Sequence, residues 1–220
     1  MIELNDLKEP FNKVPNVPKG DWFQKKCEEI ADELFKNYCI NCNDRKFYFA
    51  EIEFYYYEEG VWDDDWNKVT YARDGYKAGD LFYHLSGVDV CFESNLKKEK
   101  ATFSGKGGGI LIRAMIDSED ENSGLIVGPL TCKDIMLNAC KVGEMPKLEW
   151  FANKRTSKVV STYRFLGKSD FDKIEPSSNE HQNKDGNLKL AYFDSSIPDK
   201  DWNTARSSYY SNRLKKYEQQ

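Results

Sequence analysis

The segment from Phe47 to Tyr57 constrains the fold of this chain more than any other stretch. β-branched and aromatic residues dominate it, and they favour extended backbone, so we predict a strand over about 46–57. Because strand side chains alternate between faces, one face is apolar and suits a core, with Ile52, Phe54 and Tyr56. The other face sets carboxylates beside aromatic rings, at Glu51, Glu53, Tyr55 and Tyr57. That combination suits a site that holds a flat ligand and activates water.

The composition is that of a folded protein with a substantial core. The chain has 220 residues, of which 40% are apolar and 14% aromatic, enough for one domain over 1–220. No apolar run approaches the roughly 20 residues of a membrane helix, so we expect no membrane partner. The N-terminal segment lacks the basic-then-apolar form of a signal peptide, which predicts a cytoplasmic protein. The oligomeric state stays open.

Helix and loop signals divide the chain into a lead, a core and a tail. Three prolines predict an extended lead over residues 1–20, and the core is expected over 21–200. Apolar residues at helical spacing predict a helix over 22–37 with Asp21 as its N-cap. Thr131 and Asp134 predict a capping box for a helix through about Cys140. A polar helix is predicted in the C-terminal segment 201–220.

Short apolar or alternating runs predict the remaining strands. A turn is expected at 41–44, and residues 60–79 read as a long polar and aromatic loop. The predicted strands, besides 46–57, are 109–116, 158–166 and 188–193, together with either two short strands over 81–85 and 88–93 or one bent strand around Gly87. Strands and helices that do not strictly alternate predict an α+β fold.

The six cysteines do not form a metal-binding pattern. Cys39 and Cys42 have the spacing of half a zinc ribbon, but no second close pair follows. We therefore expect buried thiols, no metal and no cofactor.

Charge is unevenly distributed along a chain whose net charge is -5. Residues 51–66 contain seven acids and no base, whereas 95–115 and 141–168 are rich in lysine and arginine. The basic segments could be ordinary solvated loops or could contact phosphates. The overall acidity weakens the case for a nucleic-acid partner.

Three further features could be structural or functional. Arg113 lies in an apolar strand, where a guanidinium must pair with a carboxylate such as Glu51 or Glu53, or else face a pocket that binds an anion or a polar ligand. The glycine run 105–109 is predicted to be a flexible hairpin tip, with phosphate contact through Lys106 as the alternative. His84 is either a hydrogen-bonded core residue or a site residue.

The order of these segments resembles the alkyladenine (3-methyladenine) DNA glycosylases over about residues 48–140. The similar segments are Ala50–Tyr55, Gly79–His84, Gly87–Phe92, Gly108–Ala114 and the Gly128–Pro129 step before a helix. The resemblance implies a single α+β domain with a curved, mostly antiparallel sheet flanked by helices, and no metal. That family flips a damaged purine out of the duplex and stacks it on aromatic side chains.

The resemblance also implies roles for individual residues. Glu53 would be the base that activates water, Tyr55 and His84 would stack the purine, and Arg113 would orient the nucleotide or the water. Glu93 stands where the family has an Asn that discriminates among purines. Two other departures are the short Ser86–Gly87 segment, where the family carries an aromatic wedge, and the acids Asp63 to Asp65, where it supplies a His.

Three hypotheses follow. The first is a divergent glycosylase-like hydrolase of a base–sugar N-glycosidic bond, acting in base excision. The second is a catalytically inactive member of the fold that binds nucleic acid, a nucleotide or a protein, which a cavity filled by Trp62 or Trp66 would favour. The third is an interaction protein whose acidic loop 58–66 recognises a basic partner.

Overall fold

The protein, seen in a computed structural model, is an α+β structure whose antiparallel sheet curls into a half-barrel. The structure describes residues 5–8, 19–62, 74–99, 102–120, 124–151, 155–162 and 190–205. The predicted α+β class is therefore confirmed.

Three helices have defined bounds in the described part of the chain. They are α1 (Asn5–Lys8), α2 (Lys19–Asn37) and α3 (Pro129–Ala139). Residues 199–205 are also helical, and Trp202 anchors them in a small apolar cluster with Ala50 and Ala114. The predicted C-terminal helix thus begins near its expected position, and its remainder lies outside the described residues.

The strands are short except for two, β2 and β7, which run through the middle of the sheet. In chain order they are β1 (Tyr38–Cys42), β2 (Arg45–Glu58), β3 (Leu81–His84), β4 (Gly87–Cys91), β5 (Lys97–Glu99), β6 (Thr102–Ser104), β7 (Lys106–Asp117), β8 (Leu125–Val127), β9 (Lys147–Trp150), β10 (Val159–Thr162) and β11 (Ala191–Asp194). The strand order is β10-β11-β2-β7-β4-β3, with β1 also on β2, β9 on β1 and β8 on β7. Strands β5 and β6 form a separate hairpin.

The apolar face of β2 lies in the main core, as its alternation predicted. Ile52, Phe54 and Tyr56 are fully buried in one cluster with residues of α2. Phe23 of α2 packs against Tyr56, with ring centroids 6.2 Å apart. Burying each such side chain stabilises the fold by about 1.5–3 kcal/mol, so this face holds α2 on the sheet.

Several expectations about element ends were wrong. The lead is not extended throughout, because Asn5–Lys8 is helical and the Leu7 carbonyl accepts a hydrogen bond from the Glu93 amide at 2.8 Å. Helix α2 begins at Lys19, two residues before the position that the expected Asp21 cap implied. The capping box at Thr131 is also wrong, because α3 begins at Pro129 after Gly128 and has no side-chain cap bond. Helix α3 begins at glycine and proline, which are common at the N-cap and the first position of a helix, so the sequence signal for its start lies just before Thr131.

The turn predicted at 41–44 is shorter than expected. Strand β1 continues to Cys42, and only Asn43 and Asp44 turn, with φ of 52° and 78°. Positive φ at both positions is the geometry of a two-residue hairpin, which Asn and Asp tolerate better than most residues. The sequence therefore carried the hairpin signal, and β1 was missed.

The glycine run is not a flexible tip. Gly107, Gly108 and Gly109 are buried within β7, and β7 starts at Lys106. A Cβ on Gly108 would lie 2.1 Å from the Tyr55 carbonyl oxygen, and one on Gly109 would lie 2.6 Å from the Asp89 Cβ. The glycines are there because neighbouring strands leave no room for a side chain.

Candidate functional site

Four polar side chains on the face of β2 and β7 opposite the α2 core make contact with one another. We call Glu51, Glu53, Tyr55 and Arg113 the Arg113 cluster. Arg113 Nη1 lies 3.1 Å from Glu53 Oε1, and Arg113 Nε lies 3.3 Å from Glu51 Oε1. The Tyr55 hydroxyl donates to Glu53 Oε2 at 2.5 Å. Both oxygens of Glu53 therefore have a charged or polar partner.

The Arg113 cluster is buried and carries more acid than base. Glu51 and Glu53 are buried, and Glu53 has no exposed surface. Burial alone would lower the pKa of Arg113, but the Glu53 and Glu51 carboxylates raise it above its ordinary value. The guanidinium is thus a permanent cation facing two carboxylates. Such an arrangement suits a ligand or transition state that is itself cationic.

A local irregularity in the strand pair puts these residues together. Phe49 pairs with Met115, Glu51 with Ala114 and Ile52 with Ile112, so the register steps past Ala50 on β2 and past Arg113 on β7. Bulges of this kind re-aim side chains. The sequence shows this irregularity, because the residues of β2 in the main apolar core have odd numbers up to Phe49 and even numbers from Ile52 onward.

A second polar group lies at the β3–β4 hairpin. His84 Nε2 lies 3.1 Å from Asp89 Oδ1, and the Ser86 hydroxyl lies 3.0 Å from His84 Nδ1. The His84 ring stacks on Phe82 with centroids 5.7 Å apart. The side chains of His84 and Asp89 are only 5% and 3% exposed. His84 is therefore a buried, hydrogen-bonded residue, one of the two alternatives that its sequence context left open.

The two polar groups share one face of the sheet. Leu111 pairs with Glu53 on one side and with Asp89 on the other, so all three project in the same direction. Two strand spacings separate Glu53 from Asp89, about 10 Å between Cα atoms. Gly109, beside this row, makes room for the Asp89 side chain.

Two residues expected at the site lie elsewhere. Glu93 pairs with Lys77 Nζ at 3.0 Å and accepts from the Ala78 amide, and these contacts lower its pKa. Lys106 stands opposite Glu58 at the end of β7, and its Nζ donates to the Lys8 carbonyl at 3.3 Å. Neither has a described contact with the Arg113 cluster.

Asp89 and Ser86 are site residues that the sequence did not single out. Asp89 is a lone acid between two valines in a strand buried along its length, and that pattern was a usable signal. The sequence carried no such signal for Ser86, because its position beside His84 depends on how tightly the hairpin turns.

Trp62 does not fill the polar face. It packs against Phe23 in the α2 core, with ring centroids 4.3 Å apart. Trp66 and the acids Asp63 to Asp65 lie outside the described residues.

Among the residues that the structure describes, no group of three His, Cys, Asp or Glu side chains is arranged to hold a metal ion. None of the helices there is long and apolar enough to cross a membrane.

Comparisons of the chain with protein-family models, with curated proteins and with solved structures found no match.

Proposed function

We propose that this chain is a divergent 3-methyladenine DNA glycosylase-like hydrolase that cleaves a base–sugar N-glycosidic bond. One observation carries the proposal: the Glu53 carboxylate is buried between the Arg113 guanidinium and the Tyr55 hydroxyl. A carboxylate held in this way is fixed in orientation, and a general base must be placed within hydrogen-bond reach of the proton that it removes. The ordered resemblance over residues 48–140 supports the same assignment.

The chemistry follows from the charges of the Arg113 cluster. Water attacks the anomeric carbon, a proton passes from water to Glu53, and the bond electrons leave with the base. The transition state resembles an oxocarbenium ion, and the excess carboxylate charge stabilises its positive character. The same negative charge favours a nucleobase that is already cationic, such as an alkylated purine. Such a nucleobase leaves as a neutral molecule, so no separate general acid is needed to protonate it.

Tyr55 controls the access of water to Glu53, the general base in this mechanism. Its hydroxyl occupies Glu53 Oε2, so the ring must swing away before water can bind there. The movement would release the Tyr55 ring to stack on the incoming purine. His84 does not serve this purpose in the same way, because its ring is already packed on Phe82.

Basic residues outside the cluster would meet the phosphates. Lys97 and Lys98 are exposed on the β5–β6 hairpin, and the Lys98 ammonium lies 5.5 Å from the centroid of the Phe103 ring. Contacts of this kind make binding fall as salt rises.

The Glu53→Gln variant tests the proposal. The protein is incubated with oligonucleotides that contain alkylated or unmodified purines, and the released base is measured by mass. Release is expected from an alkylated substrate, with a loss of about 100-fold or more in Glu53→Gln. The control is Glu29→Gln, an exposed acid on α2 that pairs with Lys26. Equal release by Glu53→Gln and the unsubstituted protein would remove Glu53 from this role.

The second candidate is a catalytically inactive binding module for nucleic acid, a nucleotide or a protein. The full occupation of both Glu53 oxygens favours it, since a structural ion pair needs no open position. Binding of labelled oligonucleotides without base release, at equal strength in Glu53→Gln, is the result that would select this candidate.

A further inference from the structure

The hairpin between β3 and β4 holds a chain of three hydrogen-bonding side chains that the proposed glycosylase chemistry does not use. It runs from Ser86 Oγ to His84 Nδ1 at 3.0 Å and from His84 Nε2 to Asp89 Oδ1 at 3.1 Å. We call these residues the Ser86 relay. Serine, histidine and aspartate in this order are the components of a nucleophile, a base and a group that orients the base.

The two contacts fit one direction of proton transfer. When Asp89 accepts from Nε2 of His84, Nδ1 presents a lone pair to the Ser86 hydroxyl. In that tautomer the imidazole can withdraw a proton from the serine.

Along the Ser86 relay the proposed nucleophile is exposed and its two partners are buried, as a reaction with an external substrate requires. The His84 and Asp89 side chains are almost completely buried, whereas Ser86 is exposed on the turn. A substrate can thus reach the hydroxyl from solvent while the base and its carboxylate stay in a low-dielectric environment. Charge stabilisation is stronger there than in water.

Positive potential is available beside Ser86. Helix α3 starts against the turn, since a Cβ on Gly87 would lie 2.8 Å from the Pro129 Cβ. This helix has no side-chain cap, and its N-terminus carries the positive end of the helix dipole. One turn further along, Lys133 Nζ donates to the His84 carbonyl at 2.8 Å. Both features favour an oxyanion formed at this turn.

We propose that Ser86 is the nucleophile of a second, acyl-transfer activity, with small esters of apolar acids as substrates. The apolar preference comes from Leu85 and Leu130, which are 93% and 40% exposed on the turn and on the first turn of α3. Ser86 Oγ bonds to the acyl carbon while its proton passes to His84 Nδ1. The alcohol portion of the ester then leaves, and it takes up the proton held by His84. Water then attacks the acyl-serine by the same route, which releases the acid and restores Ser86.

A fluorophosphonate probe tests the proposal on the full chain. Such probes bond covalently to activated serines, and the modified residue is identified by peptide mass. Labelling is expected at Ser86 and is lost in Ser86→Ala. The matched control is Ser104→Ala, another exposed hairpin serine, which should label at the unsubstituted rate. Hydrolysis of p-nitrophenyl acetate is measured in parallel.

Asp89 acts by orienting the His84 ring, so its variants are chosen to separate a loss of that orientation from a loss of folding. Asp89→Asn is expected to slow labelling at saturating probe by about 100-fold or more while the probe concentration for half-maximal rate stays unchanged. Asp89→Glu should recover part of the rate. The proposal is overturned if the folded, unsubstituted protein is not labelled, if label appears on another residue, or if Ser86→Ala hydrolyses the ester as fast as the unsubstituted chain.

Discussion

Two arginines bridge the same pair of strands in different surroundings. Arg113 lies in the middle of β7 and pairs with two glutamates of β2, whereas Arg45 begins β2 and pairs with Asp117 at the end of β7. The Arg45 side chain is 36% exposed and that of Arg113 is 18% exposed. Arg45 Nε also donates to Asp117 Oδ1 at 3.1 Å. Both groups are arginine–carboxylate pairs, and they differ mainly in their position along the strands.

Position decides how much each pair can contribute to stability. At the strand end, water reaches the Arg45 guanidinium, and Asp117, although its side chain is only 6% exposed, also accepts a hydrogen bond from the Glu119 amide. Breaking that ion pair therefore leaves the carboxylate with one remaining partner. In the middle of the sheet, the Glu51 and Glu53 carboxylates are cut off from water and depend on Arg113. Desolvation offsets most of the attraction in such a buried group, which makes it a poor device for stability alone.

Removing the buried arginine should have the largest effect. Arg113→Met leaves Glu51 and Glu53 buried without their cation, and we expect the free energy of unfolding to fall by about 3–5 kcal/mol. Urea unfolding followed by circular dichroism measures the change.

A triple variant checks the physical reason. Glu51→Gln, Glu53→Gln and Arg113→Met together remove every charge of the cluster and should restore most of the stability lost by Arg113→Met alone. If the triple variant is as unstable as the single one, uncompensated charge is not the cause. If Arg113→Met costs no more than Arg45→Met, the pair in the middle of the sheet and the pair at its end do not differ in their contribution to stability.

A glycine substitution tests the strand pair that both arginines span. In Gly108→Ala the new methyl group would meet main-chain atoms of Tyr55 and Tyr56, which cannot move without shifting β2. Overpacking of this kind should destabilise the protein by about 1–3 kcal/mol. The unfolding midpoint in urea reports it. An unchanged midpoint would mean that β2 and β7 can separate without loss, and the register around Arg113 would then be unimportant.

The half-exposed arginine should have the smallest effect. Arg45→Met removes one partner of the buried Asp117, which keeps the Glu119 amide, and is expected to cost about 1–2 kcal/mol at neutral pH. A loss as large as that of Arg113→Met would contradict this compensation at the strand end.

The same pair predicts a pH dependence with a definite sign. The hydrogen bond from Arg45 lowers the pKa of Asp117 below its ordinary value of 3.8, against the opposing effect of burial. A carboxyl whose folded pKa is depressed adds stability above its unfolded pKa and loses that contribution as the pH falls. The difference between Arg45→Met and the unsubstituted protein should therefore be constant near neutrality and shrink below about pH 4. Unfolding curves at several pH values measure it.

Alternation in the sequence predicted which side chains of β2 share a face. The faces of β2 were read correctly because a period of two is a local property, and Arg113 was recognised because a charge in an apolar run must be compensated. The glycine run was misread because glycine is common both in flexible tips and at close strand contacts. Only the approach of Tyr55 and Asp89 to β7 distinguishes these cases. The start of α3 was misplaced because two start signals lie close together, and the helix begins at the Gly128–Pro129 step and not at Thr131.

The sequence by itself determined that the chain forms an α+β fold, that one face of β2 is apolar, and that Glu51, Glu53 and Tyr55 share the other. These properties follow from composition and from the pleat of a strand. Only the tertiary structure decided that Arg113 pairs with both glutamates, that His84 lies between Ser86 and Asp89, and that Glu93 and Lys106 lie elsewhere. Such contacts depend on strand register and on a bulge, and a shift of one residue in register would turn every one of these side chains to the opposite face.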